Sequence, residues 1–432
     1  MEKIRDHSAG IDIGSRQVFV SVEGEPVCSF ETFTSDFLAL SAYLKQQKVT
    51  TVAMEATGNY WVVLYDILKE SGLDVWLVDG RQTRQVPGRK TDVKDCQWIQ
   101  QLHSYGLLNR CYVSEGLLKE LRSYQRLRED HLRSASMHIQ HMQKALIGMN
   151  IRLPEVLSQV HGQSGLSMIR AILGGERNKE KLLSLCHKSV RENKSHQILK
   201  ALEGYYTESG LFALDQAYQA YLFYQDQIEA CDKKIEQTLE QINQDTDLPA
   251  GLEPGKRKPI RHNKPQVTDL DKHLLKVFGG RDATKLPGFT DYNWLQLYTE
   301  LGSDLTNWPS EKHFTSWLGL SPGQNNSGKR KKSKAKGKPV VGQIFKEIAH
   351  GLLNSKYIGW GVFARRIRAR KGAPVAIKAT ARKLAVQYWR LMVKGSDFVE
   401  RGVETYEKIL LAQKQKQLNR LALELNMVVS SP

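Results

Sequence analysis

Four carboxylates stand where strands and one helix could gather them at a single site. Asp12 interrupts the apolar run AGIDIG, and Glu55 closes the run TVAME. Asp92 and Asp95 are three residues apart in TDVKD, so on a helix they project from one face. A carboxylate inside an apolar strand is costly to bury unless a cation or hydrogen bonds compensate its charge. Clustered carboxylates are hard oxygen ligands that suit Mg²⁺ or Mn²⁺, and two such ions can clamp both reacting oxygens of a phosphodiester.

The first 110 or so residues alternate between strand and helix patterns that would position these groups. The β-rich runs SAGIDIG, QVFVSVEG and EPVCSFETF predict an antiparallel meander. Helix, strand, helix, strand and helix patterns follow, in SDFLALSAYLKQQ, VTTVAMEATG, NYWVVLYDILKESG, LDVWLVD and TDVKDCQWIQQLHSYG. Thr91 is the N-cap candidate of the last helix. This order predicts an α/β RNase H-like, or RuvC-like, fold, in which the first and fourth strands are neighbours and the four carboxylates converge.

The remaining chain reads as mostly helical. A spacing of alternating threes and fours from Leu214 to Ile242, with Gln225 and Asp232 as polar interruptions, predicts a coiled-coil seam. Such a seam fits either self-association or a helical hairpin within one chain. We predict an α/β catalytic domain at 1–112, a helical and coiled-coil region at 113–245, a basic linker at 246–268, a mostly α domain at 269–400, and a C-terminal helix and tail at 401–432.

The composition favours a nucleic-acid partner. The formal net charge is +17, and a surplus of this size attracts polyanions. No apolar segment reaches the length of a membrane helix, and the N-terminus lacks an apolar signal region, so we expect a cytoplasmic protein. The five cysteines form no CxxC pair, which supports neither a zinc site nor a disulfide framework. The residues expected to contact phosphates are Arg81, Arg84, Arg89, Lys90, Lys94, Arg122, Arg126, Lys256, Arg257, Lys258, Lys329, Arg330, Lys331, Lys332, Arg365, Arg366 and Arg368.

An actin-like ATPase or sugar kinase is the alternative that shares the first stretch. That class requires a second Asp-Gly turn and a Gly-rich adenosine loop downstream. LVDGRQ and FGGRD imitate pieces of these, but neither stands between a strand and a helix of the right kind. The basic charge also suits a small-sugar kinase poorly.

The motifs GIDIGS, MEATGNYW and RKTDVKD, followed by LPGFTDYNWLQLYTELG and GLSPGQNNSGK, resemble the DEDD-type insertion-sequence transposases. In this family of bridge-RNA-guided recombinases, a RuvC-like domain precedes a C-terminal domain that bears a serine. The chain departs from the family in LPGFTDYNW, where Thr290 and Asp291 replace the usual hairpin glycine.

The resemblance implies a DNA transposase that cuts and rejoins strands. Asp12, Glu55, Asp92 and Asp95 would bind Mg²⁺ or Mn²⁺, two ions per active site, and Ser327 in QNNSGK would be the nucleophile. It also implies donor and target DNA, a non-coding guide RNA, a homo-oligomer (dimer or tetramer) and a bacterial cytoplasm. A RuvC-like junction endonuclease, in which metal-activated water attacks and Ser327 is idle, stays open as the alternative.

Overall fold

A five-stranded mixed sheet organises the first of two units, Met1–Val113 and Ser114–Pro432, into which the computed structural model divides the chain. The structure describes residues 2–83, 91–248, 252, 259–260, 262–322, 339–355 and 358–427.

The N-terminal unit has the strand order β3-β2-β1-β4-β5. The first three strands pair antiparallel, and β4 and β5 run parallel to β1. This is the predicted α/β RNase H-like arrangement, and the fold class is confirmed. Its elements are β1 (Ser8–Ile13), β2 (Gln17–Val22), β3 (Cys28–Glu31), α1 (Thr34–Gln46), β4 (Thr51–Glu55), α2 (Trp61–Glu70), β5 (Asp74–Val78) and α3 (Asp92–Ser104).

The two faces of this sheet bury different residues because side chains alternate along a strand. Ile11 and Met54 belong to a core that includes side chains of α1 and α2. On the opposite face, Ala53 packs with Ile99 of α3. Asp12 is one residue from Ile11 and therefore lies on the α3 face. The sheet thus separates an apolar face from the face that carries the acidic residue.

The second unit is helical in every described element. Its α-helices are α4 (Gly116–Gly148), α5 (Leu153–Val156), α6 (Gln163–Leu173), α7 (Lys179–Ser184), α8 (Lys188–Ala201), α9 (Glu208–Ile242), α10 (Leu270–Val277), α11 (Asp291–Leu301), α12 (Glu311–Trp317), α13 (Val340–Leu352), α14 (Ile358–Lys371), α15 (Ala373–Lys394) and α16 (Ser396–Glu424), with a 3₁₀ turn at Ala283–Lys285. The predicted domain bounds stay predictions, and α16 is continuous across residue 400.

The long helices α4 and α9 pack on each other as an antiparallel pair. Near one end Arg128 meets Asp232, and farther along His138 stacks on Tyr224. The predicted seam of α9 is buried against α4, where Tyr218 shares a core with other apolar side chains of both helices. The structure therefore supports a helical hairpin within one chain as the explanation of this seam.

A buried ion pair explains one polar interruption in the seam. The side chains of Arg128 and Asp232 are 1% and 2% exposed, and Arg128 Nε donates to Asp232 Oδ1 at 2.5 Å. Arg128 also donates to the Tyr292 hydroxyl and to the Asn263 carbonyl, while Asp232 accepts from the Gln266 amide. The further hydrogen bonds that both groups need in a dry interior come from two other segments, the stretch that contains Asn263 and Gln266 and the first turn of α11.

In the described part of the chain, none of the helices has the length and apolarity that crossing a membrane requires.

Candidate active site

The structure brings three of the four predicted carboxylates together. Asp12, Asp92 and Asp95 each offer a carboxylate oxygen, and these oxygens all lie within 4.8 Å of one another. Asp92 is exposed, whereas Asp12 and Asp95 are half-buried. The exposed Asp92 leaves one side of the cluster open to a substrate, and the half-buried Asp12 and Asp95 are partly shielded from solvent.

Close packing of α3 on β1 makes this gathering possible. A Cβ on Gly10 would overlap the backbone nitrogen of Gln100 and the backbone oxygen of Cys96. Only glycine lets the helix backbone approach the strand so closely. Gly10 precedes Asp12 by two residues, so both lie on the face that α3 covers. The absence of a side chain at Gly10 therefore brings the start of α3 to Asp12.

The first turn of α3 is built to carry Asp92 and Asp95. Thr91 is its N-cap, and the Thr91 side chain accepts a hydrogen bond from the Lys94 amide at 3.4 Å. The Asp95 amide donates to the Thr91 carbonyl at 2.9 Å. The positive end of the helix dipole offsets part of the repulsion between two carboxylates in one turn. The spacing of three residues directs both toward the same side.

Glu55 lies outside the group of three and has its own partners. Thr83 Oγ1 donates to Glu55 Oε2 at 2.6 Å. A Cβ on Gly80 would overlap Glu55 Oε1, so the carboxylate occupies the space beside this glycine. The last paired residues of β1 and β4 are Ile11 and Met54, and Asp12 and Glu55 come next on each strand. The backbone thus sets Glu55 beside Asp12, and its side chain is held by the loop after β5.

The donor set fits a hard divalent cation. Three carboxylates at this separation repel one another, and a bound cation would relieve that repulsion while using ligands that Mg²⁺ and Mn²⁺ prefer. Burial, together with the negative charges of Asp12 and Asp95, raises the pKa of the neighbouring Cys96 thiol to about 12. The described residues therefore fit the cation that the sequence predicted.

Several predicted phosphate contacts already have acidic partners. Arg81 Nε donates to both carboxylate oxygens of Asp79 at 3.0 Å. Arg122 and Arg126 donate to Glu300, at 2.9 Å and 2.7 Å for their closest atoms. Although burial opposes the shift, the hydrogen bonds and charges of Arg126 and Arg122 lower the pKa of Glu300. These two arginines hold α4 to α11, and their predicted contact with nucleic acid stays a prediction.

Other predicted basic residues are open to solvent or lie outside the described part. Lys94, Arg365, Arg366 and Arg368 are exposed, the first on α3 and the others on α14. Arg365 donates to the Ser355 carbonyl at 3.0 Å, and the exposure of the three α14 guanidinium groups makes this helix the better candidate surface for phosphates. The predicted residues outside the described ranges are Arg84, Arg89, Lys90, Lys256, Arg257, Lys258, Ser327, Lys329, Arg330, Lys331 and Lys332.

Sequence reasoning missed the residues that support the carboxylates. Gly10 could have been recognised from the sequence, since a glycine inside a strand often marks a close approach of another backbone. Thr83 and Gly80 could not, because nothing near them in the chain indicates contact with Glu55. The segment LPGFTDYNW, which departs from the family pattern, forms an ordinary capped start of α11. There Gly288 has φ +85°, and the Thr290 side chain accepts from the Asn293 amide at 3.3 Å.

Comparison with known families gives two matches along the chain. Residues 9–151 match a family model of the DEDD IS110 type, described as a transposase. Residues 281–357 match the transposase family IS116/IS110/IS902. The first match contains all four carboxylates and the second contains Ser327. No curated protein matches the chain.

Proposed function

The chain belongs to the IS110 family of DEDD transposases, and we propose that it exchanges DNA strands through a covalent bond between Ser327 and DNA. Membership of this family implies an enzyme that acts on DNA in transposition and depends on divalent cations. The kinase alternative has no support from these matches. The observation that supports the metal-assisted part of this proposal is the approach of the Asp12, Asp92 and Asp95 oxygens to within 4.8 Å, and the serine step follows from the family's second match, which contains Ser327.

The three aspartates, with Glu55 beside them, are the proposed ligands of two Mg²⁺ or Mn²⁺ ions. When bound, such ions act as Lewis acids that stabilise the charge developing on a phosphodiester. The chain's own contribution is preorganisation: β1 and α3 hold the ligands in place before the substrate arrives. The exposure of Asp92 leaves one side of the cluster accessible to a DNA strand.

Ser327 is the proposed nucleophile. Its Oγ loses a proton, a bond forms between Oγ and phosphorus, and the bond from phosphorus to the leaving strand breaks. The leaving oxygen takes up a proton. The serine ester preserves the energy of the phosphodiester bond, so the hydroxyl of a second strand can displace Oγ without ATP. Gly328 and the basic residues that follow it suit close passage of a DNA backbone.

Guidance by a non-coding RNA is the second part of the proposal. The sequence has a net charge of +17, but it contains no zinc-finger motif and no RNA-recognition motif that would recognise a specific nucleic-acid sequence. Phosphate contacts alone position a nucleic acid without specifying its sequence. Pairing between an RNA and the donor and target DNA would supply the missing specificity. Action as a homo-oligomer, dimer or tetramer, completes the proposal.

A trapped protein–DNA adduct tests the serine step. The chain is expressed together with the insertion sequence that encodes it, purified under denaturing conditions and examined for covalently attached DNA. Wild type and the matched control variant Ser333→Ala are expected to carry the adduct, and Ser327→Ala is expected to carry none. If Ser327→Ala exchanges strands at the wild-type rate, the serine mechanism is wrong and the endonuclease alternative gains support.

Sequencing the RNA that copurifies under native conditions tests guidance separately. A single enriched RNA from the end of the element is expected. Recovery of only random cellular RNA would refute guidance and leave the transposase assignment intact.

A further inference from the structure

The loop after β5 forms a seat for the carboxylate of Glu55. Thr83 Oγ1 is 2.6 Å from Glu55 Oε2 and 3.2 Å from the Gly80 carbonyl. The hydroxyl has one proton, and the shorter distance to a charged acceptor favours Glu55. Gly80 leaves the space that Glu55 Oε1 occupies. Thr83 is itself only 8% exposed, so water competes poorly for its hydroxyl.

This loop is anchored to the rest of the N-terminal unit. The Gln82 side chain accepts from the Asn109 amide at 2.7 Å and donates to the Asn109 carbonyl at 3.2 Å. The Arg81 amide donates to Asp79 Oδ1 at 2.9 Å. Two residues beyond Asn109, the Cys111 amide donates to the carbonyl of Leu77 on β5. Thr83 therefore sits on a segment with a defined position.

Glu55 needs such a partner more than the aspartates do. A glutamate has three side-chain torsions, so ordering it costs more rotamer entropy than ordering an aspartate, which has two. Parallel β1 and β4 end at the same edge of the sheet, where Asp12 and Glu55 follow the last paired residues. The backbone brings the two carboxyl groups close, but only a side-chain contact selects the rotamer of Glu55.

We infer that Thr83 is a positioning residue for Glu55, and that its hydroxyl orders the fourth carboxylate before a divalent cation binds. The inference rests on the proposed function, because it takes Glu55 as a ligand. Hydrogen bonds to metal-ligating carboxylates fix their orientation, and losing one weakens metal affinity by about 10- to 100-fold. Thr83 acts through Glu55 and needs no contact with DNA.

Calorimetric titration of the full-length protein with Mn²⁺ alone tests this inference. Thr83→Val removes the hydroxyl and keeps the side-chain shape, and we expect its Kd to rise about tenfold. Thr83→Ser restores a donor and should stay within about twofold of wild type. The matched control is Thr51→Val. Thr51 is also 8% exposed and also bonded, to His103 at 2.9 Å, but it lies four residues before Glu55 on β4.

A double-variant cycle separates positioning from general destabilisation. In a Glu55→Gln background, Thr83→Val should leave the Mn²⁺ affinity unchanged, because the group it positions is already gone. Equal losses in Thr83→Val and Thr51→Val, or tighter binding by Thr83→Val, would overturn the inference. So would a wild-type affinity in Thr83→Val, and the proposed metal site would then stand. A wild-type protein that binds no Mn²⁺ would overturn that metal site and this inference together.

Discussion

Replacing Asp12 with asparagine measures the repulsion among three carboxylates that share one site. Asparagine keeps the shape of the side chain and removes its charge. Without divalent cations, we expect Asp12→Asn to stabilise the contact between β1 and α3. With Mn²⁺ present, we expect the variant to lose most of the stabilisation that the wild type gains, because one of its charged ligands is missing.

The expected size follows from the spacing of the oxygens. Two unit charges 4.8 Å apart repel by about 0.9 kcal/mol at the dielectric constant of water and by about 3.5 kcal/mol at an effective value of 20. Asp92 is exposed and the other two side chains are half-buried, so the value lies near the water limit. Removing one charge relieves two such pairs, which gives about 2 kcal/mol.

Hydrogen–deuterium exchange of the intact protein measures this change locally. In EDTA, amides of β1 and α3 should exchange about 30-fold more slowly in Asp12→Asn than in the wild type, since 1.4 kcal/mol corresponds to a factor of ten. Asp36→Asn is the control, because this half-buried aspartate lies in the first turn of α1, away from the cluster. Its effect should stay below about 1 kcal/mol.

Two results would refute the reasoning. Faster exchange of β1 and α3 in Asp12→Asn in EDTA would mean that the aspartate is held by stabilising partners that outweigh the repulsion. Equal protection of variant and wild type by Mn²⁺ would mean that Asp12 is not a ligand. Either outcome would remove the electrostatic argument for a cation site at this cluster.

Three further predictions concern packing. Asp232→Asn leaves the Arg128 guanidinium buried without its counter-charge, so the unfolding free energy of the second unit should fall by about 3–5 kcal/mol. The double variant Arg128→Met/Asp232→Leu should lose less, and equal losses in urea denaturation would contradict this. Burial lowers the pKa of His103 from 6.5 to about 4, and the folded state therefore resists protonation that the unfolded state accepts. Stability of the N-terminal unit should fall by about 3 kcal/mol as the pH drops from 6.5 to 4, and His103→Gln should remove this part of the slope in thermal melts. Gly10→Ala forces α3 away from β1 near Gln100, so both the thermal midpoint and the Mn²⁺ affinity should fall; unchanged values in both would show that the contact is dispensable.

Local patterns predicted the elements of the catalytic unit well. The alternation around Asp12 and Glu55 predicted strands, and Thr91 predicted the start of α3, because these signals depend on residues next to one another. The order of the elements was then sufficient for the fold class. It was also sufficient to predict that Asp12 would meet Asp92 and Asp95, since a parallel neighbour strand and a covering helix leave little choice of position.

Partners far apart in the chain were beyond local patterns. The sequence predicted that Arg122 and Arg126 contact phosphates, but it did not indicate that both side chains donate to Glu300, more than 170 residues away. The seam of α9 read equally well as a dimer contact and as a hairpin, because burial of a heptad does not identify the covering helix. No sequence pattern indicated that Thr83 contacts Glu55.

By itself, the sequence determined the α/β elements and the basic character that favours nucleic acid, and it predicted the four carboxylates as site residues. These follow from residue type, periodicity and total charge. Only the tertiary structure decided which carboxylates share one site, which hydroxyl holds Glu55 and which arginines are already paired. The physical reason is that ion pairs and hydrogen bonds form between groups within about 3–4 Å in space, a distance that the chain order does not encode.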